Sequence, residues 1–418
     1  MNSKPSGLAA TYDDTWLLDG VRTPFAEFNG VLGGVSPTDM GIKVARELFR
    51  RTGIGPADVG AVIAGCMAQA SFDAYVLPRH IGLYSGVSRE VPAQLIQRVC
   101  GTGFELIKQA ADLIALRQIE LGLCVGTESM SRNPIAAYTH RGGFRLGAQV
   151  EFKDFLWESL LDPAPNTTMG GTAENLAKQY RLERSEVDAF AADSFARALA
   201  AQQDGFLSGE IVPVVTEEFA LENYKPRGIR LASSKLKEFA TDDHVRPSPI
   251  EQLAKIRPAF GGVQTGGNSS GIVDGAAGTL VASGRYVRDT KTNPLARLVA
   301  AAVVGVAPEV MGIGPAPAIR MVLERAGIKL SDVDRFEINE AFGAQCLAVE
   351  RELGLDHAKL NVNGGAIAIG HPLAATGVRL TVTVARELVR RKLRYGVSSA
   401  CIGGGQGIAL LVENTSAA

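Results

Sequence analysis

The hydrophobic positions along the first fifty residues change from the spacing of a strand to that of a helix. An apolar run from Thr15 to Val21 ends at Arg22-Thr23-Pro24 and predicts a short buried strand. After a glycine-rich turn, apolar residues recur at helical spacing from about Met40 to Arg51 and predict an amphipathic helix. A strand followed by a helix in this way is typical of α/β folds.

The same hydrophobic pattern occurs twice in the chain. The segment RELFRRTGIGPADVGAVIAG, which begins at Arg46, aligns with RMVLERAGIKLSDVDRFEIN, which begins at Arg320. Gly53 of the first copy pairs with Gly327 of the second. Each copy predicts a helix, a Gly-Ile turn and a strand, so we expect two α/β halves of related topology packed face to face.

A region of different texture separates the two halves. From about residue 130 to 271 the chain has fewer regular apolar strands and more helix and loop signals, including predicted helices at Thr172 to Tyr180 and Ser185 to Gln203. Ser185 is the predicted N-cap of the second helix. We expect residues 1–129, completed by about 272–290, to form the N-terminal half, residues 130–271 an inserted loop domain that shapes a pocket, and residues 291–418 the C-terminal half.

Composition excludes several function classes. The chain carries 43 basic and 44 acidic residues, and its net charge of −1 gives no attraction to nucleic acid or an anionic membrane. Five cysteines without a C-x-x-C pair favour reduced thiols over a disulfide framework or a metal site. The sequence begins without a secretory signal pattern, and no apolar run approaches the roughly 20 residues of a membrane-spanning helix, so a cytoplasmic location is expected.

Cys100 is the first candidate catalytic residue. It ends the run from Val91 to Val99 and is followed by Gly101-Thr102-Gly103 and a predicted helix from Phe104 to Leu116. The N-terminus of a helix favours an anion, so we expect a lowered thiol pKa and a nucleophilic thiolate. A small buried cysteine is the ordinary alternative, but the glycines leave room for a substrate carbonyl.

Two further candidates lie near the C-terminus. His371 follows a stretch of glycine and alanine from residue 363 and precedes a helix that ends near Arg391, so an imidazole could act as a base in the space that the small residues leave. Cys401 begins a glycine-rich turn after the predicted strand from Gly396 to Ala400. That turn is not a phosphate loop, because no Lys-Ser or Lys-Thr follows it.

Short motifs spread over nearly the full chain form an ordered series. They are Val21-Arg22-Thr23-Pro24, Val99-Cys100-Gly101-Thr102-Gly103, Met169-Gly170-Gly171-Thr172-Ala173-Glu174-Asn175, Gly267-Asn268-Ser269-Ser270-Gly271, Met311-Gly312-Ile313-Gly314-Pro315, Asn339-Glu340-Ala341-Phe342, Asn363 to Gly377 and Cys401 to Gly407. In this order they resemble the signatures of the thiolases, also called acetyl-CoA acyltransferases. The resemblance implies a five-layered αβαβα fold of two duplicated halves with an inserted loop domain.

The resemblance also implies a role for each candidate. Cys100 would become acylated, His371 would deprotonate it, and Cys401 would move a proton at the α-carbon of the substrate. Asn339 would hold an activating water. The backbone N–H groups of Cys100 and Gly403 would form an oxyanion hole.

Coenzyme A would be a substrate and product, with no permanently bound cofactor. By resemblance, its path passes Arg246, Gly266, Ser270 and Met169, with Arg246 at the nucleotide end. A solvated loop charge is the ordinary alternative for that arginine. The small residues from Thr265 to Gly271 suit a narrow tunnel for the pantetheine arm.

The resemblance implies reversible Claisen chemistry in fatty acid metabolism, with acyl-CoA and CoA as ligands and a homodimer or homotetramer as the assembly. Two other functions stay open at this point. A ketoacyl synthase of the same superfamily would use malonyl thioesters and would have His or Asn where Cys401 stands. A non-catalytic acyl-CoA-binding relative would keep the pocket and lose the catalytic side chains, all of which are present here.

Overall fold

A computed structural model describes residues 6–68, 71–138 and 140–417. Its strands are β1 Gly7–Thr11, β2 Thr15–Arg22, β3 Ala26–Glu27, β4 Ala61–Gly65, β5 Ala93–Ile96, β6 Leu121–Glu128, β7 Ile135–Ala136, β8 Lys153–Asp154, β9 Leu161–Asp162, β10 Thr167–Thr168, β11 Glu217–Phe219, β12 Arg227–Ile229, β13 Val273–Ser283, β14 Ala296–Gly305, β15 Arg335–Ile338, β16 Tyr395–Ile402 and β17 Gln406–Glu413. Its α-helices are α1 Pro37–Thr52, α2 Leu77–Tyr84, α3 Thr102–Ala115, α4 Phe155–Ser159, α5 Met169–Tyr180, α6 Arg184–Gln203, α7 Phe206–Glu210, α8 Ile250–Leu253, α9 Gly284–Thr290, α10 Pro315–Ala326, α11 Gly343–Leu353, α12 Ala366–Ile369 and α13 Leu373–Arg391.

The strands of the N-terminal half run in the order β5, β4, β6, β13, β2. Strands β4, β5 and β6 are parallel, and β13 lies antiparallel between β6 and β2. Both faces of β4 and β6 are buried. β4 is apolar throughout and β6 is apolar as far as Gly126, as expected for strands covered on two sides, whereas Thr127 and Glu128 at the end of β6 are polar and also buried.

The C-terminal half repeats this plan in the order β15, β16, β17, β14, with β1 beyond β14. Strands β15 and β16 are parallel and the others pair antiparallel. The sheet continues from one half to the other where β14 pairs with β2. In this pairing Ala296 lies opposite Leu17, and Arg297 lies opposite Trp16.

Helices cover the strands in layers. α1 and α2 pack on the outer face of the N-terminal strands, and α10 packs on the C-terminal strands. α3 and α13 lie together between the halves, and α13 contacts strands of both. The predicted α/β layering is confirmed.

The duplicated segments adopt the same local structure, which confirms that prediction. α1 ends at Gly53, with φ 69°, and α10 ends at Gly327, with φ 68°; this left-handed conformation is readily adopted by glycine. A short 3₁₀ turn then leads into β4 in the first copy and into β15 in the second. The sequence repeat is therefore a repeat of a helix, a glycine cap and a parallel strand.

The region between β6 and β13 contains helices α4 to α8 and short two-stranded ribbons. Both predicted helices are present as α5 and α6. The prediction of Ser185 as an N-cap is wrong, because α6 begins at Arg184 and its cap is Glu183. Glu186 accepts a hydrogen bond from the Glu183 N–H at 2.8 Å, which places the capping box two residues before the predicted position.

Candidate active site

The turn before α3 presents Cys100 and is strained. Val99 has φ 44°, a left-handed conformation that a β-branched residue rarely adopts. Thr102 stabilises the turn, because its hydroxyl donates to the Val99 carbonyl at 2.7 Å and accepts from the Arg98 N–H at 2.9 Å. Strain of this kind costs about 1–3 kcal/mol and is concentrated at functional sites.

The sulfur of Cys100 lies in a buried, donor-lined position. The backbone N–H groups of Cys100 and Gly403 both hydrogen-bond to it, while burial and the charge of Glu128 oppose its ionisation. Burial is the largest effect and raises the pKa of Cys100 to about 11. The expectation of a lowered pKa is therefore wrong for the free protein, because removal of the thiolate from water outweighs the two hydrogen bonds.

His371 is oriented by the first turn of α13. Its Nδ1 lies 2.6 Å from Thr376 Oγ1, and the Thr376 hydroxyl donates to the Pro372 carbonyl at 3.0 Å. Since the hydroxyl hydrogen is used there, Oγ1 accepts from Nδ1–H and the lone pair of the imidazole is on Nε2. Burial, followed by the charge of Arg379, lowers the pKa of His371 to about 3 and keeps the ring neutral.

Asn339 follows β15 and reaches the same place. Its Nδ2 lies 3.3 Å from His371 Nε2. Its Oδ1 is buried and accepts no hydrogen bond from the described residues. Asn339 therefore brings to His371 both a donor and an acceptor that the described residues leave unused, which fits a side chain that orients a polar ligand.

Cys401 lies on β16 and is fully buried. Burial comes first among the causes that raise its pKa, and a negative charge on Cys100 raises it further. The two thiols therefore interact, and ionisation of one disfavours ionisation of the other. The following turn bends sharply at Gly404 and Gly405, whose φ angles are 85° and 84°.

Glycines bring the helices that follow Cys100 and His371 into direct contact. A Cβ atom on Gly103 of α3 would lie 2.7 Å from the Gly377 nitrogen of α13. A Cβ on Gly126 of β6 would lie 2.0 Å from the Ala374 carbonyl oxygen. Any larger side chain would separate these elements, so the close approach of the two catalytic segments depends on these glycines.

A cavity of about 400 Å³ opens onto His371. Three residues predicted for the coenzyme A path, Met169, Gly266 and Ser270, contribute to its wall. The rest of the wall is largely apolar; it includes Met130, Trp157, Leu160, Phe260, Phe342 and Leu373. The cavity can therefore hold a long, thin and partly apolar ligand beside the histidine.

Arg246 is not brought into this wall. Its side chain is about half exposed, at 51%, and it pairs with Glu27 at 2.8 Å, next to His244. His244 itself does line the cavity. The assignment of Arg246 to the nucleotide end of coenzyme A stays a prediction.

Several residues that shape the site were not found from the sequence. Thr102 and Thr376 fix the two catalytic turns, and Glu128 and Glu340 are buried carboxylates close to them. Glu128 is the last residue of the mostly apolar strand β6, and a charged residue in that position only weakly indicates a buried charge. The others have no signal before the turns are seen in three dimensions.

Two negative findings apply to the described part of the chain. No group of three His, Cys, Asp or Glu side chains there is arranged to hold a metal ion. No helix among those residues is long and apolar enough to cross a membrane.

Comparison with known proteins gives consistent matches. Residues 15–285 match the family model "Thiolase, N-terminal domain", and residues 292–414 match "Thiolase, C-terminal domain". The chain is 42% identical over 399 residues to the human mitochondrial 3-ketoacyl-CoA thiolase, covering 94% of this chain and 97% of that protein. It is 40% identical over 401 residues to the beta-ketothiolase BktB of Cupriavidus necator, covering 95% and 98%.

A solved structure extends the match to three dimensions. The crystal structure of the human mitochondrial 3-ketoacyl-CoA thiolase in complex with CoA superposes with a TM-score of 0.91 at 40% identity, covering 98% of this chain and 100% of that one. The two family models together span most of the chain, and the ordered motifs, the duplicated halves and the paired thiols agree with them. The chain therefore belongs to the thiolase family.

Proposed function

We propose that this protein catalyses reversible thiolysis of 3-oxoacyl-CoA by CoA, through an acyl intermediate on Cys100. One observation carries the proposal: the Cys100 sulfur is held by the N–H groups of Cys100 and Gly403, in a cluster that also contains a buried second thiol. Donors placed in this way stabilise the oxyanion that forms when a thiol attacks a thioester or ketone carbonyl.

In the first half-reaction, the Cys100 thiol loses its proton to Nε2 of His371 as the sulfur attacks the 3-oxo carbonyl carbon. The raised pKa of the thiol and the lowered pKa of the histidine keep both groups neutral beforehand, so proton transfer and attack occur together. The bond between C2 and C3 then breaks. The leaving enolate of acetyl-CoA takes a proton at C2 from the Cys401 thiol.

In the second half-reaction, Cys401 is a thiolate and recovers its proton from the thiol of incoming CoA. The CoA sulfur attacks the acyl group on Cys100, the bond between that group and the Cys100 sulfur breaks, and acyl-CoA leaves. The released Cys100 thiolate takes back the proton that His371 has held. Because a charge on Cys100 disfavours one on Cys401, the two thiols ionise in alternate steps, which suits a two-stage transfer. Condensation of two acetyl-CoA molecules is the same path reversed.

The enolate formed in this reaction also needs stabilisation. Asn339 Nδ2 and His371 Nε2 lie 3.3 Å apart, and the Asn339 Oδ1 acceptor is unused by the described residues. A water held by Asn339 together with the histidine would supply the second oxyanion hole. Preorganised donors of this kind contribute about 10²- to 10³-fold in kcat.

The cavity supports coenzyme A as the shared ligand. Gly266 leaves open space where a side chain would project, and Ser270 and Met169 border the same passage. The apolar wall that continues past Met130 and Leu373 suits an acyl chain. A cytoplasmic homodimer or homotetramer that acts in fatty acid metabolism is part of the proposal.

The test is thiolysis of acetoacetyl-CoA and of a long-chain 3-oxoacyl-CoA by purified protein with free CoA, followed as loss of the 3-oxo thioester. We expect turnover that disappears in Cys100→Ala and a radiolabelled acyl group that stays on the wild-type protein when CoA is omitted. Similar rates on both substrates would indicate a broad degradative enzyme. Activity on acetoacetyl-CoA alone would indicate a short-chain acetyltransferase.

Absence of turnover on both substrates, or undiminished turnover in Cys100→Ala, would contradict the proposal. Condensation with malonyl thioesters that is unaffected by Cys401→Ala would instead favour the ketoacyl synthase alternative. CoA binding without acyl exchange would favour the non-catalytic relative.

A further inference from the structure

His371 lies in a short segment, and each end of this segment is hydrogen-bonded to a different buried carboxylate. It runs from Gly365 through α12 to the start of α13. The Ile367 N–H donates to Glu340 Oε2 at 3.1 Å, and the Ala374 N–H donates to Glu128 Oε2 at 3.1 Å. His371 lies between these two hydrogen bonds.

Glu340 is anchored firmly on its other side. Ser194 Oγ donates to it at 2.7 Å and Asn361 Nδ2 donates to it at 2.8 Å. Ser194 Oγ also accepts from the Gly365 N–H at 3.1 Å. A Cβ on Gly365 would lie 2.1 Å from the Glu340 carboxyl carbon, so the backbone approaches this carboxylate as closely as glycine allows.

Glu128 is anchored by a different part of the chain. The Met67 N–H donates to Oε2 at 3.0 Å and the Ala68 N–H donates to Oε1 at 3.1 Å. Glu128 therefore connects the turn after β4 to the first turn of α13. Its negative charge also opposes ionisation of Cys100, so it faces the nucleophile as well as the histidine segment.

Both carboxylates are almost completely buried, Glu128 at 0% and Glu340 at 1% exposure. A buried carboxylate is costly unless hydrogen bonds replace its water. Glu128 accepts from three backbone N–H groups, and Glu340 accepts from one backbone N–H group and from the side chains of Ser194 and Asn361. Backbone donors cannot reorient as side chains do. Each carboxylate therefore fixes the backbone that it holds.

We propose that Glu128 and Glu340 are positioning residues that hold the His371 segment from both sides and set the place of the imidazole relative to Cys100. The inference deepens the proposed function and rests on it. Neither carboxylate has a chemical step of its own in the reaction. They act by keeping Nε2 within reach of the thiol proton, and a displacement of about 1 Å of a catalytic group costs about 10²-fold in rate.

The test compares Glu128→Gln and Glu340→Gln with Glu413→Gln as a matched control. Glu413 is a buried carboxylate paired with Arg297 and Arg394 at the far end of β17. Turnover of acetoacetyl-CoA is expressed per folded active site, with the folded fraction taken from the size of the thermal unfolding transition, so that unfolded protein is not counted. We expect kcat per site to fall about 10- to 10²-fold in both test variants, with KM for CoA within about twofold.

A second readout separates positioning from general damage. The charge of Glu128 raises the pKa of Cys100, and a charge on Cys100 in turn raises the pKa of Cys401. Loss of the Glu128 charge should therefore move the pH dependence of Cys100 alkylation to lower pH, while turnover falls. Glu340→Gln should leave the alkylation profile unchanged and still lower kcat.

If Glu340→Gln or both glutamine variants fail to fold, the test uses Ser194→Ala. This variant removes one hydrogen-bond donor to Glu340 and leaves the carboxylate in place. We expect about a fivefold loss of kcat there, and faster amide hydrogen exchange at residues 365–374. Unchanged kcat per site and unchanged exchange in the variants would overturn the inference. A wild-type protein without turnover would overturn the proposed function alone, since alkylation and exchange still report the position of the segment.

Discussion

The two copies of the duplicated segment have the same backbone and different ends. Both run through a helix, a left-handed glycine and a 3₁₀ turn into a parallel strand. At the last aligned position the first copy has Gly65 and the second has Asn339. A Cβ on Gly65 would lie 2.3 Å from Thr102 Cγ2, whereas the Asn339 amide reaches His371.

The difference shows how a symmetric scaffold supports an asymmetric reaction. In the N-terminal half the strand ends in Gly65, which has no side chain, so the turn with Cys100 can pack against it. In the C-terminal half the equivalent strand end provides a polar group to the histidine. One half therefore carries Cys100, and the other carries the residues to which the proposed function assigns the proton transfers and the enolate.

Asn339→Ala tests this division most strongly. We expect kcat for thiolysis to fall about 10²- to 10³-fold, because a preorganised donor is lost at the enolate. The melting temperature should change little. Cys346→Ala is the control, because its thiol contacts the Asn339 backbone carbonyl from α11 without reaching the histidine. Wild-type kcat in Asn339→Ala would show that the two strand ends do not differ in function.

The next largest predicted effect is on the rate at which Cys100 and Cys401 are alkylated. Because burial raises the pKa of Cys100 to about 11, the thiolate fraction near pH 8 should be on the order of 10²-fold below that of a free cysteine with a pKa of about 8.5. Iodoacetamide labelling, followed by peptide mass spectrometry, should therefore accelerate steadily from pH 7 to pH 10. Cys401 should react later than Cys100, since its pKa is raised further by a charge on Cys100. A plateau near pH 8.5 would contradict this prediction.

Gly65→Ala examines the other copy. Its Cβ would meet Thr102 at 2.3 Å and the Ile96 carbonyl at 2.9 Å, so we expect a loss of about 1–3 kcal/mol in the free energy of unfolding, measured with urea. Gly305→Ala is the matched control at the end of β14, because a Cβ there meets no atom within 4 Å. Equal stability of the two variants would mean that the contact with the nucleophile turn is not tight.

The smallest predicted effect on stability should be equal in the two copies. Gly53→Ala and Gly327→Ala each place a Cβ on a left-handed residue and should each cost about 1 kcal/mol. Nothing lies within 4 Å of either Cβ, so backbone strain is the only cost in both copies. Thermal unfolding of the two variants should show equal shifts. Unequal shifts would mean that the copies differ before their strand ends.

The sequence predicted what depends on local pattern and missed what depends on tertiary packing. The repeat, the strand before Arg22 and the helices around Cys100 and His371 follow from hydrophobic spacing and glycine positions. The thiol pKa was predicted in the wrong direction, because a helix N-terminus is visible in the sequence and the depth of burial is not. The Ser185 cap prediction failed because Glu183 and Glu186 form an alternative capping pair two residues earlier.

The two cysteines and the histidine of the candidate site were found because each follows or precedes a glycine cluster that is unusual in a sequence, whereas Asn339 was found only through the resemblance of its motif. Thr376 and Glu340 carry no such mark. Thr376 fixes the imidazole through a side chain five residues away, and Glu340 does so through hydrogen bonds from three separate parts of the chain. Residues that act through several distant partners cannot be recognised before those partners are brought together.

The central position of α13 affects how this protein is made. Residues 373–391 lie near the end of the chain, yet they pack between the halves against strands from both. While a ribosome is still synthesising earlier residues, the inner face of the N-terminal strands has α3 and lacks α13. The nascent chain therefore leaves the tunnel with part of its core open to solvent, and this face stays uncovered until residues 373–391 have been synthesised.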